Sequence, residues 1–153
     1  MPERTIAIAA DHAGVELKSK LKEYLEQDGI RVIDLGTEGS ASVDYPDIAN
    51  RLAAAVTGAE AQQGIVICGT GIGVSMAANR HAGVRAAVCH DITSARLARQ
   101  HNDANVLALG ARLIGPEMAA ACVAAFLAAE FGGGRHQRRV DKLSNPNFAK
   151  EPA

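Results

Sequence analysis

Cys68 runs straight into Gly69-Thr70-Gly71-Ile72-Gly73, which sets a thiol beside a glycine-rich turn. Glycines at alternate positions let the backbone turn sharply and come close to a ligand. Where such a turn opens a helix, several amide N–H groups lack intrahelical acceptors and form a site for negative charge. The pattern predicts a cysteine whose thiolate is favoured by a helix terminus, beside donors aimed at an oxyanion. The plainer alternative is a buried cysteine at a strand end next to a tight turn.

Three other uses of such a loop do not fit. A nucleotide phosphate loop needs Gly-Lys-[Ser/Thr] after the turn, and none follows. The dinucleotide fingerprint is Gly-x-Gly-x-x-Gly, whereas the glycines here stand at 69, 71 and 73. A phosphocysteine phosphatase places an Arg about six residues beyond its Cys to hold the oxyanion. Val74 occupies that position.

Other residues offer weaker signals. Arg135 and Arg139 are four apart on a predicted helix, so their guanidinium groups share a face and can converge on one multiply charged anion. The alternative is a solvated basic turn. His101 reads either as a surface residue capping a helix C-terminus or as a proton shuttle near neutral pH. Asp11 and His12 read either as a helix cap and its neighbour or as site residues. No His/Asp/Glu cluster has metal-ligand spacing, so no metal and no cofactor are expected.

These residues need elements to position them. Residues 5–10 read as a strand, and Asp11-His12-Ala13-Gly14 leaves its carboxyl end to start a helix. Val15, Leu17, Leu21, Tyr24 and Leu25 form that helix's apolar stripe, with Lys and Glu opposite and Gly29 placed to stop it. Residues 30–35 read as the second strand, and a polar loop then ends in Asp44-Tyr45-Pro46, where Pro fits a first helical turn. Ile48, Leu52 and Val56 mark the buried face of the helix that follows. Residues 65–67, β-branched and apolar on both faces, suit a strand inside a parallel sheet and deliver Cys68 to its carboxyl edge. A fourth strand is expected over 84–89, followed by a helix capped by Asp91 and running through Gln100. His101-Asn102-Asp103 then reads as a polar corner. The fifth strand covers 105–109, and an alanine-rich helix covers 116–130. Gly132-Gly133-Gly134 breaks that helix before a last one carrying Arg135, His136, Arg138 and Arg139. Residues 1–140 read as a single domain and 141–153 as a polar tail, irregular around Asn145-Pro146.

Strands alternating with helices imply an α/β fold with a parallel sheet covered on both faces. Ligands of such sheets bind beyond the carboxyl ends of the strands. Asp11-His12, the Cys68 loop and the His101 corner are all expected at that edge.

With 153 residues, 48% of them hydrophobic, and a net charge of −1, the chain suits one core. Only 3% of its residues are aromatic and no basic run occurs, which argues against a nucleic-acid partner. No apolar run approaches the ~20 residues of a membrane span and no secretory segment is evident, so no membrane association and a cytoplasmic location are expected. Three cysteines without paired spacing suit reduced thiols, with Cys89 and Cys122 as small core residues.

Five motifs in order resemble the ribose-5-phosphate isomerase B family, which includes allose- and galactose-phosphate isomerases. They are Asp11-His12-Ala13-Gly14, Asp44-Tyr45-Pro46, the Cys68 loop with Ala77-Ala78-Asn79, the run from Arg96 to Asp103, and Gly133-Gly134-Arg135-His136 with Arg139. The resemblance covers nearly the whole chain. It implies a Rossmann-like three-layer α/β/α sandwich on a five-stranded parallel sheet, and a homodimer or homotetramer that works without a metal on a sugar phosphate.

The same resemblance implies roles. Cys68 is the base that moves a proton between the first two carbons of ribose 5-phosphate, and Thr70 with the amides of Gly69, Gly71, Ile72 and Gly73 holds the enediolate oxygen. His101 assists ring opening, Asp11 contacts sugar hydroxyls, and His12, Arg135 and Arg139 bind phosphate. Tyr45, Asn102 and Arg112 match further ligand positions. One branch of the family lacks the cysteine and carries a Glu at the position of Val74, so this chain resembles the cysteine branch. The resemblance further implies sites shared between subunits, with His101, Asn102 and Arg112 donated by the neighbour of the subunit carrying Cys68. A second class of reading is a module that binds a phosphorylated metabolite without turnover, and a third is a phosphocysteine carrier.

Overall fold

In the computed structural model, which describes residues 3–146, strand β1 (Thr5–Ala10) is buried throughout and leads through a 3-10 turn (His12–Gly14) into helix α1 (Val15–Gln27). Gly29, at φ +76°, ends α1. Its N–H reaches the Glu26 carbonyl at 3.0 Å and the Ile30 N–H reaches the Leu25 carbonyl at 3.1 Å, the pairing that closes a helix on a left-handed glycine. Strand β2 (Arg31–Asp34) and helix α2 (Tyr45–Thr57) follow, with Pro46 in the first turn of α2. Strand β3 (Gln63–Cys68) leads to helix α3 (Ile72–Ala78), and strand β4 (Ala86–Val88) to helix α4 (Ile92–Asn102). Strand β5 (Val106–Gly110), helix α5 (Pro116–Ala128) and helix α6 (Arg135–Ser144) complete the order.

All five strands are parallel, in the order β2-β1-β3-β5-β4. β3 lies at the centre, pairing Ile8 with Ile65 on one side and Cys68 with Gly110 on the other. One face packs Ile6, Ile8, Ile65, Ile67, Leu107 and Leu109 against α1, α4 and α5. The other packs Ala7, Ala9, Val66 and Ala108 against α2 and α3. Each fully buried Ile or Leu contributes ~1.5–3 kcal/mol, so strands lined on both faces hold the sheet rigidly beneath its loops. The α/β sandwich on a five-stranded parallel sheet expected above is the observed fold.

Several boundaries differ from the expectations. β2 and β4 are shorter than 30–35 and 84–89, because each is an edge strand paired on one side only. α5 stops at Ala128 instead of 130. α4 continues through His101 and Asn102, so the polar corner is the last turn of a helix, turned by Asp103 at φ +46°. α6 runs through Ser144, four residues into the segment expected as a tail; Asn145 and Pro146 are irregular, and 147–153 lie outside the described residues. Lys18 is buried at 1% exposure within the stripe of Leu17, Leu21 and Leu25 rather than standing opposite it.

Candidate active site

The carboxyl edge of the sheet carries the first cluster. Cys68 ends β3, 5% exposed, and its Sγ accepts a hydrogen bond from the Gly71 N–H at 3.2 Å. That geometry requires glycine at 71: φ is +77°, and a Cβ would lie 2.8 Å from the Leu109 carbonyl carbon. Thr70 Oγ1 accepts from the Ile72 N–H at 3.2 Å, which leaves the amides of Gly73 and Val74 without an acceptor among the described residues. The start of α3 therefore presents open donors beside the thiol. A Cβ on Gly73 would come within 2.7 Å of the Tyr45 ring, so the aromatic side chain lies directly on the loop. Arg112 follows β5, donates its backbone N–H to the Gly69 carbonyl at 3.0 Å and lays its side chain over Gly69.

Asp11 and His12 stand at the end of β1, next to β3. The Asp11 N–H bonds the Ile67 carbonyl at 3.0 Å, and its buried carboxylate caps the following turn by accepting from the Ala13 N–H at 3.0 Å. Gly14 allows this close approach, since a Cβ there would meet the Ile67 side chain at 2.6 Å. His12 Nδ1 accepts from the Val43 N–H at 3.2 Å, so a neutral ring carries its proton on Nε2.

The sequence reading missed what holds the loop that supplies Val43. Lys18 Nζ donates to Asp34 at 2.7 and 2.8 Å and to Glu38 at 3.1 Å, and Asp34 also accepts from the Gly36 N–H at 3.0 Å. Burial works to raise the Asp34 carboxyl, but the Lys18 hydrogen bond and charge and the Gly36 N–H hold it below its usual value. A lysine inside an apolar stripe was the available signal. His90 was also missed: its Nε2 accepts from the Gly110 N–H at 3.0 Å and steadies the end of β5 against Thr70.

His101, Asn102, Arg135 and Arg139 lie elsewhere. A helix that follows a parallel strand runs back along the sheet, so α4 ends at the amino edge rather than at the carboxyl edge expected for His101. Asn105, just beyond that end, donates its backbone N–H to the carbonyl of Arg85, which precedes β4. The six residues of β3, at ~3.3 Å per step, separate the two edges by about 17 Å. His101 stacks on His136 with centroids 4.4 Å apart and planes inclined by 14°. Loss of solvent, then the charges of His101, Arg135 and Arg139, push the His136 imidazole below its usual value. α6 buries only Val140, leaving Arg135, Arg139 and Leu143 exposed at four-residue spacing.

The expected residues thus form two groups. Asp11, His12, Tyr45, Cys68, the loop through Gly73 and Arg112 share one edge, and His101, Asn102, Arg135 and Arg139 are associated with the other. Arg112 lies at the same edge as Cys68 in its own chain, which corrects its expected donation by a neighbour: Gly110 pairs with Cys68 in the sheet, so residues just after β5 must emerge there.

The family described as Ribose/Galactose Isomerase matches residues 6–143. The chain is 50% identical to ribose-5-phosphate isomerase B of Escherichia coli, over 92% of this chain and 95% of that protein. It is 46% identical to a D-erythrulose-4-phosphate isomerase of Pectobacterium atrosepticum, over 91% and 92% respectively. Among solved structures, a ribose 5-phosphate isomerase of Thermotoga maritima superposes with a TM-score of 0.91 at 52% identity, over 92% of this chain and 97% of that one.

Proposed function

The chain belongs to the ribose/galactose isomerase family, and from that premise we propose that it is an aldose–ketose isomerase interconverting ribose 5-phosphate and ribulose 5-phosphate. The observation that carries the mechanism is Cys68, buried at the end of the central strand with the Gly71 N–H on its sulfur and open amides beside it. In the open-chain aldose, the Cys68 thiolate takes the C2 proton. The electron pair forms the C1–C2 double bond and charge develops on O1, towards the amides of Gly73 and Val74. Return of the proton to C1, with transfer of the O2 hydroxyl proton to O1, yields the ketose.

His12, through its Nε2–H, and Arg112 stand at the same edge to bind the substrate, and the Asp11 carboxylate is placed to meet its hydroxyls. Ring opening by His101 and phosphate binding by Arg135 and Arg139 require a second subunit, whose amino edge faces this carboxyl edge. The exposed surfaces support such a pairing: Tyr45, Ile72 and Met76 are 43%, 48% and 64% exposed around the Cys68 loop, while α6 offers its arginines with Leu143. The assembly is a homodimer, or a homotetramer built from such dimers, of one isomerase domain per chain. No helix among the described residues is long and apolar enough to cross a membrane, and three free thiols suit the reducing cytoplasm.

The test is hydrogen exchange. Incubation with ribose 5-phosphate in heavy water must place deuterium at C2, which a module that only binds the sugar phosphate cannot do. Because one relative is named for a four-carbon substrate, kcat/KM is measured for four-, five- and six-carbon sugar phosphates. A tenfold preference for another length, about 1.4 kcal/mol in transition-state binding, reassigns the substrate.

A further inference from the structure

A cavity of about 750 Å³ opens at the amino edge of the sheet, lined by Arg4, Arg85 and Arg99 with Gln63, Asp103 and Glu130 among its walls. Its size suits a small metabolite. Its charge is unbalanced. Asp103 answers two of the three guanidiniums, bonding Arg99 Nη1 at 2.8 Å and Arg85 Nη2 at 3.3 Å. Arg4 has no carboxylate partner among the described residues and donates to neutral acceptors, the Leu127 carbonyl at 2.7 Å and the Gln63 side-chain oxygen. Glu130 forms no ion pair among the described residues and is exposed. Arg99 is incompletely satisfied, since its Nε is buried without an acceptor.

Three guanidiniums held by fixed neighbours, with one shared carboxylate among them, are arranged for a ligand that brings its own negative charge. Burial, and after it the nearby Arg99 charge, push the Arg4 guanidinium down from its ordinary value. We propose that this cavity is a second anion-binding site, about 17 Å from the Cys68 edge of its own chain, that takes a multiply charged metabolite bearing phosphoryl or carboxylate groups. Its ligand would meet Arg4 at the start of β1 and Arg85 and Arg99 beside Asp103. Asp103 directly follows the α4 turn that carries His101 and Asn102, so the site borders residues of the proposed isomerase machinery without using them.

The test is calorimetric titration with inorganic pyrophosphate and, separately, with citrate. It is run on the full chain carrying Arg135→Ala and Arg139→Ala, so that anion binding at those arginines is removed. Pyrophosphate should bind with one site per chain, Arg4→Gln should weaken it at least about fivefold, and Glu130→Gln, which removes a repelling charge, should tighten it at least about twofold. Citrate binding with the same sensitivities extends the ligand class to polycarboxylates, and its failure limits the class to phosphoryl compounds. Glu130→Gln keeps the test decisive if Arg4→Gln does not fold. Absence of pyrophosphate binding at millimolar concentration, or binding that neither substitution moves, overturns the proposal whatever the enzyme's activity proves to be.

Discussion

If one active site is built from two chains, two inactive variants must rescue each other. Cys68→Ala removes the proposed base at the carboxyl edge, and His101→Ala removes the proposed ring-opening group at the amino edge. Those edges are about 17 Å apart within a chain, whereas an acid or base must come within ~3 Å of the proton it moves, directly or through one water. No single chain can bring both groups to one sugar. In a closed two-fold dimer, a mixed pair therefore has one site with both defects and one with neither. Random assembly at equal ratio makes half the dimers mixed, each with one of two sites intact, so activity should recover to about one quarter of wild type. The assay refolds the two variants together and separately and follows ribose 5-phosphate turnover, with subunit exchange verified by mass-tagged chains. Each variant alone must remain inactive. Mixed dimers that form yet stay inactive would refute the shared site, and with it any catalytic role for His101 across the interface.

Cys68→Ser should lower kcat by ~100-fold or more with little change in KM, the range lost when a general base is removed. Cys89→Ala should leave kcat near wild type, and Cys122, which burial pushes up to about 11, should resist iodoacetamide at pH 8; an equal loss of kcat at Cys68 and Cys89 would remove the case for the base. Lys18→Met should cost about 3 kcal/mol in urea unfolding, the lower end for breaking a buried pair because Glu38 stays solvated. Because Asp34 is held below its ordinary value, the unfolded chain binds its proton first as pH falls. The stability the pair contributes is therefore full above about pH 3.8 and lost as pH drops through the folded value. The variant should lose that part of the acid dependence, and an unchanged acid profile would show that Lys18 does not govern Asp34. Gly71→Ala should destabilise by at least ~1–2 kcal/mol from the left-handed backbone alone and lower kcat, since the new methyl would press on Leu109; wild-type Tm and kcat would rule out the tight loop as described.

β1 and β3 were legible because strands buried on both faces read as unbroken apolar runs, and the Cys68 loop because its cysteine and glycines stand together in one short contiguous stretch. What escaped were features that depend on pairing across the fold. Val84 and Cys89 look like strand residues in isolation, but β4 has only β5 beside it and pairs over three positions. Lys18 reads as a surface residue until Asp34 and Glu38, brought over by β2 and its loop, surround its ammonium. His101 was assigned to the wrong edge because a helix pattern carries no statement of direction relative to the sheet. That direction follows once β4 and β5 are known to be parallel: α4 must return to the amino edge before β5 begins. The same rule forces Asp11, Cys68 and Arg112, each just past a strand's end, onto the opposite edge. With five parallel strands, no adjustment of loops can bring His101 to Cys68 in one chain. If both groups act on one sugar, the topology requires a second copy to bring them together, and Ile72, Met76 and Leu143 are exposed apolar side chains open to such a contact.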